Sequence, residues 1–196
     1  PAYVMIGTLL WQCFADALRA PLQVMNQSMS FIVKINFPRE ALLLAGAGEV
    51  IFNFIVRLVL MVIVYILYRI PVPSTVILAP IGICALMALG FMLGILLIPI
   101  GVLYRDVEKG LPIVTTMWML LTPVVYPPSA AGHAPGIMRL NPVTPLLITA
   151  REMMIGGHLT QLTAFSWVGG ITFGLMLTGW ILYKLAFPHL IERISE

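Results

Sequence analysis

Three long stretches without a charged residue constrain this chain more than any other feature. They cover residues 70–104, 110–138 and 153–183, and each exceeds the ~20 residues that a transmembrane helix needs. Only 10% of the 196 residues are charged and 60% are hydrophobic, whereas a soluble domain has about 25% charged residues. The pattern therefore predicts an all-α, polytopic transmembrane helical bundle, and it excludes a disordered chain.

Five helices are predicted, with turn residues between them, in a single domain over residues 1–196. Their expected bounds are 2–24, 41–68, 75–103, 110–126 and 164–187. The longest connector, Pro127–Thr163, is rich in proline and glycine, and it holds two short apolar pieces at 137–140 and 146–150. Because these pieces are too short to span, we expect short re-entrant or interfacial helices there.

The distribution of basic residues gives an orientation, since cytoplasmic loops carry an excess of lysine and arginine. One side holds seven of them: Arg19, Lys34, Arg39, Arg105, Lys109, Lys184 and Arg193. The other side holds three: Arg69, Arg139 and Arg151. The first side is therefore expected to be cytoplasmic, and the long connector extracytoplasmic. The chain has no basic run, so nucleic acid is not an expected partner.

Glu49, Asn53 and Arg57 recur every four residues in the second predicted helix and form one stripe on its surface. A charge near the bilayer centre costs about 2.5–3.5 kcal/mol, so the stripe should not face lipid. Glu49 is the expected partner of Arg57, with Asn53 between them. Two interpretations remain open: a polar clamp between helices or subunits, and a stripe that faces a transport pathway.

Aromatic residues cluster near the predicted span ends, as in the aromatic belts of membrane proteins. Because aromatic faces also stack on sugar rings, some could line a route for a glycan; the candidates are Trp11, Phe14, Trp118 and Tyr126. No phosphate-binding loop, metal-ligand spacing or hydrolase motif is present, so no cofactor is expected in this chain. Cys13 and Cys84 are interpreted as small buried hydrophobic residues.

Five sequence pieces, in order along the chain, resemble the permease subunits of ABC-2 type exporters. The resemblance is strongest to permeases that export O-antigen, capsular polysaccharide or teichoic acid. The pieces are Gly7–Phe14, Asn26–Lys34 with Phe37–Glu40, Tyr104–Val107, Thr122–Pro127, and Leu140–Pro142 followed by Arg151. Leu10 and Leu44 stand where the family often has proline, which weakens an assignment to one substrate branch.

The resemblance implies a six-span permease whose interface helix and first span would lie upstream of residue 1. Two permease copies would form a pathway for a lipid-linked glycan across the bacterial inner membrane. Two separate ATPase subunits, which hold ATP and magnesium, would drive it from the cytoplasm.

The resemblance also implies roles for individual residues. The ATPase-coupling residues would be Asn26, Lys34, Phe37, Pro38, Arg39, Glu40, Arg105 and Asp106. From the residue pattern itself, and not from the resemblance, the pathway or polar stripe would comprise Trp11, Phe14, Glu49, Asn53, Arg57, Trp118 and Tyr126. The outer re-entrant region would contain Pro127, Asn141, Pro142 and Arg151.

Three alternatives stay open. The first is an ABC-2 permease for a drug or another lipid. The second is a membrane-embedded enzyme acting on a lipid-linked sugar through Glu49, Arg57 or His133; the scarcity of clustered titratable residues argues against it. The third is a purely structural membrane subunit.

Overall fold

A computed structural model of the chain describes residues 2–32, 39–69, 72–104, 106–126, 140–156 and 158–195. These residues form helices and no strand. The elements are α1 (Ala2–Ile32), α2 (Arg39–Tyr68), a 3₁₀ helix (Ser74–Leu78), α3 (Ala79–Leu103), α4 (Asp106–Leu121), α5 (Val143–Ile155) and α6 (Leu162–Ser195). The prediction of an all-α helical membrane protein is confirmed.

Three of the long helices have ends that differ from the prediction: α6 runs to Ser195 and not to residue 187, and α1 and α4 differ as follows. α1 passes through Pro21 and continues to Ile32, so the first seven residues of the predicted coupling segment extend α1 and form no separate helix. α4 begins at Asp106, where acidic residues in its first turn favour the helix dipole. It ends at Leu121, two residues before Pro123, because proline disfavours helical backbone at the residue before it.

The outer helix α5 is longer than the sequence predicts. The apolar piece 146–150 forms the middle of a 13-residue helix, whereas 137–139 lies outside the described residues. At about 1.5 Å per residue the helix is about 20 Å long, too short for a hydrocarbon core of about 30 Å. Most of its side chains are buried, which a re-entrant helix requires because its polar backbone must be covered by protein.

Three of the described helical stretches are long and apolar enough to cross a membrane: Ala41–Tyr68, Ser74–Leu103 and Leu162–Ile181. α1 has 31 residues but contains Asp16 and Arg19, and α4 has 16 residues. That these two helices also span the membrane, as five predicted spans require, stays a prediction.

α1 and α3 pack side by side through glycines of α3. A Cβ atom at Gly90 would lie 2.6 Å from the carbonyl oxygen of Phe14, and one at Gly94 would lie 2.5 Å from that of Leu18. A Cβ at Gly101 would overlap the side chain of Leu22. The residue numbers at these contacts increase along both helices in the same direction, so α1 and α3 run parallel. Small residues at such positions let two helix backbones approach closely.

The other helices surround this pair and leave wide apolar faces exposed. α2 contacts α1 at Gly46, and α5 contacts α3 where Gly82 meets Ala150. Phe52 on α2 is 67% exposed and Trp167 on α6 is 75% exposed, as expected for surfaces that meet lipid or another subunit. Cys13 is buried as predicted, whereas Cys84 is exposed on α3, so the prediction is wrong for that residue.

The substitution Gly94→Ala is expected to lower the free energy of unfolding by about 1–3 kcal/mol, because the new methyl group overpacks the α1–α3 contact. Gly174→Ala in α6 is the matched control, since a Cβ there meets nothing within 4 Å. The control should be neutral or stabilising by up to about 1 kcal/mol, because alanine favours a helix over glycine. Unfolding temperatures in detergent test this, and equal temperatures for the two variants would contradict it.

Candidate functional site

An aromatic cluster joins α1 to α4 near the C-terminal end of α4. The ring centroids of Trp11 and Phe14 are 5.2 Å apart, and those of Phe14 and Trp118 are 5.4 Å apart in an edge-to-face arrangement. Trp11 and Trp118 are 6.4 Å apart. Trp11 and Phe14 are buried within the chain, so they pack α1 against α4 and do not line an open surface of this protomer.

Asn141 connects this aromatic cluster to the outer helix α5. Its Oδ1 accepts hydrogen bonds from Trp118 Nε1 at 3.2 Å and from the backbone N–H of Val143 at 3.1 Å. Its Nδ2 donates to Thr122 Oγ1 at 2.8 Å. Because its amide is satisfied on both atoms, this buried side chain fixes α5 relative to the end of α4.

Arg151 lies on α5 and is 2% exposed. Its Nη2 donates to the carbonyl oxygens of Pro123 at 3.1 Å and Val124 at 2.9 Å. Its guanidinium carbon lies 4.1 Å from the ring centroid of Tyr3 on α1, a cation–π contact. A Cβ atom at Gly7 would overlap Arg151 Nη2 and the Val124 carbonyl oxygen, so only glycine fits there without movement of these groups.

An ion pair crosses between α1 and α2 deeper in the bundle. Arg57 Nη2 lies 2.5 Å from Asp16 Oδ2, and the two side chains are 17% and 26% exposed. The prediction that Glu49 is the partner of Arg57 is therefore wrong. The two residues are eight positions apart, about 12 Å along the helix axis, whereas α1 packs directly beside Arg57.

Two polar contacts join α1 to α4 further toward the C-terminal end of α1. Arg19 Nη2 donates to Thr115 Oγ1 at 2.9 Å, and Asn26 Nδ2 donates to Glu108 Oε2 at 2.5 Å. The partners are seven residues apart on each helix and run in opposite directions, which shows that α1 and α4 are antiparallel. Tyr3, Asp16, Arg19 and Asn26 are thus the polar residues of α1 that contact α5, α2 and α4; this set is called here the α1 polar column.

Several predicted site residues do not belong to this column. Asp106 is exposed at the start of α4, and Arg39 and Glu40 are the first two residues of α2. Glu49 and Asn53 are half-buried on α2. Tyr126 is half-buried after α4, and Pro142 is exposed before α5. The following residues lie outside the described part of the chain: Lys34, Phe37, Pro38, Arg105 and Pro127.

Five residues of the site were not predicted from the sequence: Tyr3, Asp16, Arg19, Glu108 and Thr115. The signal for Asp16 was present, because an isolated acid in an apolar stretch of a membrane protein needs a partner. The signals for Thr115 and Tyr3 were weaker, since threonine and tyrosine are common at such positions. Within the described ranges, no group of three metal-binding side chains is placed to hold a metal ion.

Two apolar cavities flank the central helices. One of about 510 Å³ lies between α1, α3 and α4 and is lined by Leu18, Leu97, Leu111 and Trp118, among others. The other, of about 450 Å³, lies between α2, the 3₁₀ helix and α3. Apolar cavities of this kind suit hydrocarbon better than water.

Comparison with known proteins relates the chain to one transporter family. The family profile described as ABC-2 type transporter matches residues 2–155. One curated relative, the O-antigen export system permease protein RfbA of Myxococcus xanthus, is 24% identical over 150 residues. These residues are 75% of this chain and 58% of the relative, so the chain spans little more than half of the relative's length.

Asp16→Asn is expected to lower the free energy of unfolding by about 1–3 kcal/mol, because it leaves the Arg57 charge unpaired in the bundle. Replacing both Asp16 and Arg57 with leucine should restore much of that loss, since it removes both charges. Glu49→Gln is the matched control and should change stability by less than about 0.5 kcal/mol. Thermal unfolding in detergent distinguishes these outcomes, and an equal loss in the control would argue against the ion pair.

Proposed function

The chain belongs to the ABC-2 type transporter family, and from that premise we propose that it is the permease subunit of an exporter for lipid-linked polysaccharide or glycolipid. The family is one of transporters, so the chain is a transport subunit and not an enzyme. We propose residues 1–196 as a single transmembrane domain of a multi-pass protein in the bacterial inner membrane.

The proposed substrate class rests on two supports. The relative from Myxococcus xanthus is named for O-antigen export, and five motifs of this chain resemble polysaccharide exporters in the same order. Both supports point to a glycan on a lipid carrier, with teichoic acid and capsular polysaccharide in the same chemical class. Export of a drug or of another lipid by the same fold is the competing substrate assignment.

The observation that carries the proposal is the contact between Asn26 and Glu108. It joins the cytoplasmic part of α1 to the first turn of α4, and both segments contain residues of the proposed coupling surface, Asn26 and Asp106. A force applied to either segment by an ATPase reaches both helices through this contact. ATP and magnesium would bind on two separate ATPase subunits, which this chain would meet through its cytoplasmic segments.

A second permease copy is the proposed partner within the membrane. α2, α4 and α6 expose long apolar faces, which lipid and a second copy would cover between them. Glu49 and Asn53 stay half-buried on α2 among exposed apolar neighbours. Because polar side chains avoid lipid, we propose that this part of α2 faces the pathway between the two copies.

Reconstitution with the ATPase partner tests the function directly. Proteoliposomes should move a fluorescent lipid-linked oligosaccharide between leaflets only when ATP is supplied. Movement of drugs but not of the glycolipid would support the competing substrate assignment. Chemical conversion of the lipid-linked sugar by the purified chain without an ATPase would contradict the transport role.

The Asn26–Glu108 contact predicts a rescue experiment on coupling. Asn26→Asp places two carboxylates against each other, so ATP-driven transport should fall by about tenfold, the equivalent of about 1.4 kcal/mol of lost coupling. The double variant Asn26→Asp with Glu108→Gln restores an amide opposite a carboxylate and should recover most of the activity.

Gln161→Glu, which makes the same chemical change at the outer start of α6, is the matched control and should keep wild-type transport. Copurification of the ATPase should be measured for every variant, since it separates lost assembly from lost coupling. Full transport by the Asn26→Asp single variant would remove this contact from the coupling route.

A further inference from the structure

Arg151 is a buried cation that forms no ion pair with a carboxylate in the described part of the chain. Its side chain is 2% exposed, and the described ion pair lies elsewhere, between Arg57 and Asp16. A buried charge is costly unless an opposite charge and hydrogen bonds compensate it. The two carbonyl groups and the Tyr3 ring compensate this guanidinium only in part.

Most of the hydrogen-bonding capacity of Arg151 is unused. A guanidinium has five N–H donors. The two on Nη2 reach the carbonyls of Pro123 and Val124, whereas Nε and Nη1 have no hydrogen-bond partner. Because arginine binds phosphate through several N–H groups held in one plane, these free donors match an anion with several oxygens.

A cavity of about 120 Å³ adjoins Arg151 and is lined also by Tyr3, Ile148, Glu152 and Gly156. Since a water molecule takes about 30 Å³ of liquid volume, a phosphate group fits in this space. The Glu152 carboxylate lines the same cavity but forms no ion pair with Arg151, and its two oxygens accept hydrogen bonds from the backbone N–H and the hydroxyl of Thr160. The Tyr3 ring covers the guanidinium, with its centroid 4.1 Å from the guanidinium carbon.

We infer that Arg151, at the outer end of α1, α4 and α5, binds a phosphate group. The site lies on the side that the basic residues assign to the outside, where an exported lipid-linked molecule leaves the protein. The phosphate is either that of a lipid headgroup or inorganic phosphate, which share the same oxygens. The site itself rests on the geometry of Arg151; only its assignment to the carrier of an exported glycan rests on the proposed function.

The test measures binding on the purified transporter with its ATPase partner. One arm titrates inorganic phosphate against sodium chloride of equal ionic strength. The other arm titrates polyprenyl phosphate in mixed micelles, with the uncharged polyprenol as its comparison. The apparent Kd is taken from the rise in unfolding temperature. Wild-type protein should bind in at least one arm, and the arm that responds identifies the source of the phosphate.

Arg151→Gln should weaken the apparent Kd at least about tenfold, because it removes charge-assisted hydrogen bonds. Arg151→Lys keeps the charge but loses the planar group, so a smaller, several-fold loss is expected; this variant decides the matter if the glutamine variant does not fold. Arg69→Gln, which removes an exposed arginine at the end of α2, is the matched control and should bind as wild type.

Three results would overturn the inference: no binding in either arm, equal binding of polyprenol and polyprenyl phosphate, or wild-type affinity in both Arg151 variants. Binding requires neither ATP nor transport. A protein that binds phosphate through Arg151 but exports another class of molecule would therefore contradict the proposed function and leave this site standing.

Discussion

The position of α1 in this protein depends on charges that have to be paired inside an apolar bundle. Asp16 and Arg19 lie in the middle of a helix that packs on four others, and each unpaired charge at such depth costs about 2.5–3.5 kcal/mol. Asp16 forms an ion pair with Arg57 on α2, and Arg19 donates a hydrogen bond to the hydroxyl of Thr115 on α4. Because these partners lie on different helices, they fix how α1 is rotated and where along its length each neighbour packs.

α3 packs on α1 without a side-chain hydrogen bond or ion pair between the described residues of the two helices. Gly90 and Gly94 bring its backbone against the carbonyl groups of α1, so this pair is held by close van der Waals contact. α4 is attached differently, through separate polar and aromatic contacts beside an apolar cavity of about 510 Å³. α1 is thus held to α3 by close packing, and to α4 by two hydrogen bonds and an aromatic contact.

The sequence allowed the helices and the family to be predicted, and the comparison with known proteins confirms the resemblance to ABC-2 type transporters. Hydrophobic windows identify helices because burial in lipid depends on composition. They do not identify helix ends: α1 contains Pro21 and continues beyond the predicted end at residue 24. They also do not identify neighbours: Arg57 was assigned to Glu49 on its own helix, whereas Asp16 reaches it from α1.

One buried contact at Arg151 brings together three of the sequence pieces that resemble the family. Pro123 and Val124 follow the last turn of α4, so their carbonyl groups have no partner within that helix. Arg151 supplies the donors from α5, and it reaches them only because Gly7 on α1 has no side chain in the way. One contact thus uses the glycine of the first piece, the carbonyls of the fourth and the arginine of the fifth. Loss of the Arg151 guanidinium, or a side chain at Gly7 that displaces it, leaves the buried carbonyl groups of Pro123 and Val124 without this partner, which ties these pieces to one another although 144 positions separate Gly7 from Arg151.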